Sequence, residues 1–132
     1  MNDQETESEP QTSEVLLPNG GFIALRKSGG LRFTTRTIVV YADGRIETDR
    51  MGRRAVGRID QAQIEELHRL LTKIDFPHLA LPAIKPSPDA YVYEIAARIE
   101  REIHRVEVVD GHIPVPLKPL IDQLRRLTAT IE

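Results

Sequence analysis

Cysteine is absent from this chain of 132 residues. That excludes disulfides, thiolate metal sites and cysteine nucleophiles, and it suits a reducing compartment without demanding one. No apolar run approaches the roughly 20 residues that a membrane-spanning helix requires. The opening MNDQETESEP is polar and acidic, the opposite of a secretory signal's basic and then apolar start. A soluble, cytoplasmic protein is expected. Histidine is sparse: His68, His78, His104 and His112 include no pair with the i, i+4 spacing and accompanying glutamate of a helical zinc site. His68 falls off the apolar stripe of its helix and reads as a surface residue, whereas His104 alternates with strand residues and reads as partly buried. Ser28, although followed by two glycines, lacks the flanks of a nucleophile elbow, and the glycine stretch is too short to cradle a phosphate. Asp89, Glu94, Glu100 and Glu102 read as solvated charges rather than a catalytic pair. No catalytic residue, metal ligand, cofactor or small-molecule substrate is expected, and the chain does not read as an enzyme.

Charge is unevenly distributed. The formal net charge is −2, yet residues 1–14 carry five acidic side chains and no Lys or Arg, so the remainder comes to −2 − (−5) = +3. Between Arg26 and Arg58 nine basic residues face only three acidic ones. Such a patch is either a solvated sheet face or a surface for phosphate or an acidic protein. Phe33 or Tyr41 could stack bases there, but there is no RNP-like motif, aromatics make up 5% of the chain, and the pI is near 6.1. Nucleic-acid binding through the Arg-rich 26–58 region is therefore a minor alternative.

Residues 1–14 show no apolar periodicity and read as a disordered acidic tail; residues 15–132 read as one α+β domain. The clearest element is Ile59 to Ile74. Ile59, Ile64, Leu67, Leu70, Leu71 and Ile74 form one helical stripe. Asp60 is the expected N-cap, Gln63 completes a capping box, Ile59 and Ile64 staple the entry, and Pro77 ends it. Ahead of the helix, Phe22 to Lys27 reads as a first strand broken at Ser28-Gly29-Gly30, and Leu31 to Tyr41 as a second. Asp43-Gly44 suggests a two-residue type I′ hairpin that places Ile46 opposite Tyr41 on the buried face. Arg45 to Asp49, a turn at Met51-Gly52 and a short strand at Arg54 to Arg58 follow.

Beyond the helix, Pro77, Pro82, Pro86 and Pro88 exclude regular structure, and Phe76, Leu79 and Leu81 are expected to fold back over the helix end. Tyr91 to Val109 fits either a helix or a strand pair on pattern alone. The β-branched alternation of His104 to Val109 and the stop at Asp110-Gly111 favour a hairpin turning near Glu100 to Glu102. Leu117, Leu120, Ile121, Leu124, Leu127 and Ile131 then recur at helical spacing, with Pro119 tolerable in the first turn. The expected architecture is an antiparallel sheet of about five to six strands with two amphipathic helices packed on it, in the order β-β-β(-β)-α-β-β-α.

Four stretches in succession carry a resemblance: Arg26-Lys27-Ser28-Gly29-Gly30-Leu31, Ile59 to Leu71 with Asp75-Phe76-Pro77, Asp89 to Ile95, and Asp110 to Leu124. Over roughly residues 21–131 the chain resembles the emfourin family, small bacterial proteins that inhibit thermolysin-like zinc metalloproteases such as protealysin. This chain has Leu31 where the family tends to have an aromatic after the paired glycines, and its late hairpin lacks a turn glycine. The resemblance implies a protein partner and no turnover. It suggests that the loop Ser28-Gly29-Gly30-Leu31 enters a protease cleft, with Leu31 in an apolar pocket and Arg26, Lys27 and Arg32 meeting acidic groups at the rim. Asp89 and Tyr91 are expected to add a second contact or to hold the proline-rich loop. An interaction or scaffold module without a protease target is the alternative.

Overall fold

The computed structural model describes residues 15–81 and 84–131. The expected tail at 1–14, and Pro82, lie outside them. The elements are β1 (Gly21–Gly29), β2 (Thr34–Tyr41), β3 (Arg45–Arg50), β4 (Arg53–Arg58), α1 (Gln61–Ile74), β5 (Tyr91–Ile99), β6 (Glu102–Val109) and α2 (Lys118–Ala129). Short 3-10 turns at Phe76–His78 and Val115–Leu117 follow α1 and precede α2. The six strands form one sheet in the order β4-β3-β2-β1-β5-β6, antiparallel throughout. The α+β architecture and its element order are those expected.

Alternation along the strands explains why both helices lie on one face. Ile23, Leu25, Ile38, Val40, Ile46, Ile95, Ala97 and Val108 share a cluster with Leu67, Leu70 and Leu71 of α1 and with Leu120, Ile121, Leu124 and Leu127 of α2. On the opposite face Ala24 and Ala96 are covered by Val15. There Arg26 of β1 pairs across the sheet with Glu94 of β5 at 2.9 Å, their side chains only 15% and 11% exposed. Helix α1 begins as its sequence dictates: Asp60 accepts from the Gln63 N–H at 2.9 Å and Gln63 Oε1 from the Asp60 N–H at 3.0 Å. It stops at Ile74, two residues short of the limit set by Pro77, capped by Asp75, whose left-handed backbone (φ 56°) directs its N–H to the Thr72 carbonyl. Pro77 then sits inside the 3-10 turn. Phe76 is buried and Leu79 packs on the core, whereas Leu81 is left exposed.

The register of the second hairpin differs from the expectation. Ile46 lies opposite Val40, not Tyr41. Gly44 donates to the Tyr41 carbonyl at 3.0 Å, and of the loop residues 42–44 only Gly44 has a positive φ, 96°. That is a three-residue turn with a left-handed glycine, which shifts pairing by one residue relative to a type I′ turn. Tyr41 therefore faces away from the helices and donates to Glu47 at 3.1 Å. With 7% exposure it cannot stack a base.

Candidate functional site

The paired glycines organise one end of the sheet. β1 continues through Ser28 and Gly29, both buried, instead of breaking there. The reversal occupies Gly30 to Phe33, with the Phe33 N–H donating to the Gly30 carbonyl at 3.1 Å, and β2 starts at Thr34 rather than Leu31. Gly29 (φ 123°) passes so close to the start of β5 that a Cβ would lie 2.1 Å from the Ala90 carbonyl oxygen. At Gly30 (φ 88°) a Cβ would meet the Tyr91 hydroxyl at 2.8 Å. Both glycines thus have a reason internal to the fold: at Gly29 no side chain fits against the Ala90 backbone, and at Gly30 a left-handed backbone packs against the Tyr91 ring. Asp89 accepts from the Ser87 hydroxyl at 3.2 Å, while Ala90 donates to the Ser87 carbonyl at 3.0 Å. These bonds close the turn that delivers Tyr91 to β5.

Beyond the glycines the tip projects. Leu31 is 91% exposed and Phe33 59%, with Arg32 exposed between them. The β3–β4 turn lies beside it: Met51, 58% exposed, donates its N–H to the Thr35 carbonyl at 3.3 Å. The structure therefore gathers Gly29, Gly30, Leu31, Arg32, Asp89 and Tyr91 at one end of the sheet and adds Phe33 and Met51. Sequence reasoning assigned Phe33 to a strand and Met51 to a turn. Their signal was an apolar residue within a turn, where burial is not available.

Arg26 and Lys27 go elsewhere. Arg26 turns to the open face and its Glu94 partner. Lys27 turns to the helix face, its ammonium 4.3 Å from the Tyr91 ring centroid and 5.7 Å from that of Tyr93. Burial, then the nearby Arg125 charge, lowers the Lys27 pKa from the ordinary lysine value. Burial likewise raises that of Tyr93. Ser28 is buried in the sheet, so direct contact with a partner falls to the tip residues after it.

The arginines of the 26–58 stretch are tied down locally more than sequence suggests. Besides Arg26, Arg45 lies 3.6 Å from Glu47 and over the Tyr41 ring, and Arg54 lies 3.6 Å from Asp49. Pairing of this kind weakens a nucleic-acid reading. His68 is exposed and stacks on Phe22 with centroids 4.1 Å apart; His104 is half-buried. Among the described residues no three His, Asp or Glu side chains cluster to hold a metal ion, and no helix is long and apolar enough to cross a membrane.

Residues 46–125 match the emfourin family model, more than half of the chain, and the chain belongs to that family. Its members are inhibitors, not enzymes. The matched segment holds α1, Asp89, the whole of β5 and the first two turns of α2, and begins after the first hairpin. Searches of curated proteins and of solved structures found no match.

Proposed function

We propose that this emfourin-family chain inhibits a thermolysin-like zinc metalloprotease and that the tip of its first hairpin is what enters the protease cleft. One observation carries the reading: Leu31, at 91% exposure, is a large apolar side chain presented at the end of a hairpin whose base is fixed by a glycine contact with β5. An exposed leucine on a rigid support loses little conformational entropy on docking, which favours affinity. Proteases of this type favour a bulky apolar side chain just after the scissile bond, and Leu31 is the counterpart for that pocket. The Gly30–Phe33 backbone is a closed turn rather than an extended strand, so it offers carbonyl oxygens toward the target's metal without presenting a peptide bond in substrate geometry. Arg32 supplies charge at the rim, where it acts on association rate more than on affinity. Asp89 and Tyr91 hold the base of the hairpin in position.

The test is hydrolysis of a fluorogenic peptide by several thermolysin-type enzymes with the protein at micromolar concentration. Dose-dependent inhibition is expected. No effect on any of them would favour the scaffold alternative.

A further inference from the structure

A cleft of about 480 Å³ opens between α2 and the helix-facing side of β1, β2 and β5, bordered by Lys27, Arg36, Tyr93, Asp122, Arg125 and Arg126. Lys27, Arg125 and Arg126 bring positive charge to it and Asp122 a carboxylate. Among the described residues no carboxylate lies within ion-pair distance of Lys27 or Arg125. Arg126 donates to Gln123 Oε1 at 2.9 Å, a neutral acceptor. Tyr93, 2% exposed, lines the cleft. The Lys27 ammonium is held over the tyrosine rings, and burial and the Arg125 and Arg36 charges oppose its protonation while Asp110 favours it.

Lys27 is half-buried beside the exposed Arg125, and an anion placed between the two offsets their repulsion. The donors match one in kind: guanidinium forks, an ammonium and a phenolic hydroxyl are the groups that bind phosphate oxygens. The volume falls within the range of small-molecule sites, and Leu25, Ile38 and Ala129 supply apolar wall. We propose that this cleft binds the phosphate monoester of a small organic molecule, with its dianion among Lys27, Arg125 and Arg126 and its organic part against Leu25 and Ile38. The proposal is independent of the protease reading, because the cleft lies on the helix face and uses none of the exposed tip residues.

Titration of the full chain with phenyl phosphate, at ionic strength held constant with sodium chloride and followed by NMR of the backbone amides and lysine side chains, tests it. Saturable shifts confined to β1, β2, β5 and α2 are expected, together with a rise in the Lys27 pKa, since the ester binds the protonated amine. Arg125→Gln, at an exposed helix position, should weaken binding at least tenfold. Arg69→Gln, which removes a guanidinium paired with Glu66 on α1, should leave it unchanged. Shifts that never saturate, or an Arg125→Gln protein that binds phenyl phosphate as well as the unaltered chain, would overturn the assignment.

Discussion

Gly29 shows how much one missing Cβ decides. Gly29→Ala would combine an unfavourable positive φ with a collision against the Ala90 carbonyl oxygen. A loss of about 2–4 kcal/mol is expected in urea denaturation. Thr48 poses the opposite case. It is 3% exposed and its hydroxyl has no partner among the described residues, so Thr48→Val should raise stability by about 1 kcal/mol, read as a higher denaturation midpoint at unchanged slope. The Arg26–Glu94 pair is too enclosed to behave as a surface ion pair. Glu94→Ala leaves a guanidinium without this partner in a partly buried place and should cost about 2–4 kcal/mol, whereas Arg26→Met with Glu94→Leu together should cost less than that single change. At this scale sequence reading succeeded where chemistry is local, as with Asp60 and Gln63. It failed where a partner comes from far along the chain: nothing near Arg26 in sequence announces Glu94, and nothing near Gly29 announces Ala90.

Among the elements, the hairpins depend most on turn chemistry. The β5–β6 reversal puts Glu100 and Arg101 at φ 51° and 77°, with Ile99 paired to Glu102, which is a two-residue turn with both residues left-handed and neither a glycine. Left-handed backbone costs an ordinary residue about 1–2 kcal/mol. Replacing the pair as Glu100→Asn with Arg101→Gly should therefore stabilise the protein by up to about 1 kcal/mol, after the greater unfolded-state freedom of glycine is subtracted. A drop in stability would show that Glu100 or Arg101 makes a contact outweighing the strain. The amphipathic helices were legible because a 3.6-residue stripe survives without knowledge of its partner. The Asp43-Gly44 turn was legible only as a turn. Whether two or three residues form the loop depends on the backbone angle at Asp43, which composition does not specify, and on that residue hangs the whole register of β3.

At the scale of the molecule, a six-stranded sheet backed by two helices holds the first hairpin rigid while its tip stands clear of the core. The tip brings Leu31, Arg32 and Phe33 into solvent, and under the proposed function the Arg32 charge predicts salt sensitivity. Association with an acidic cleft should slow as sodium chloride rises, with a smaller change in dissociation. From sequence the loop was visible as a glycine-led interruption. Its true extent, beginning at Gly30 and including Phe33, was not, because β1 gains its last residues through pairing with β5, more than sixty positions away.

The inhibition constant of Leu31→Asp against a thermolysin-type protease that the unaltered chain inhibits tests the central claim most directly, with thermal unfolding followed alongside. An aspartate in an apolar pocket carries a charge with no partner. Inhibition at least 100-fold weaker, about 2.7 kcal/mol, with the unfolding temperature unchanged, is the predicted result. An inhibition constant equal to that of the unaltered chain would contradict the hairpin tip as the inhibitory element.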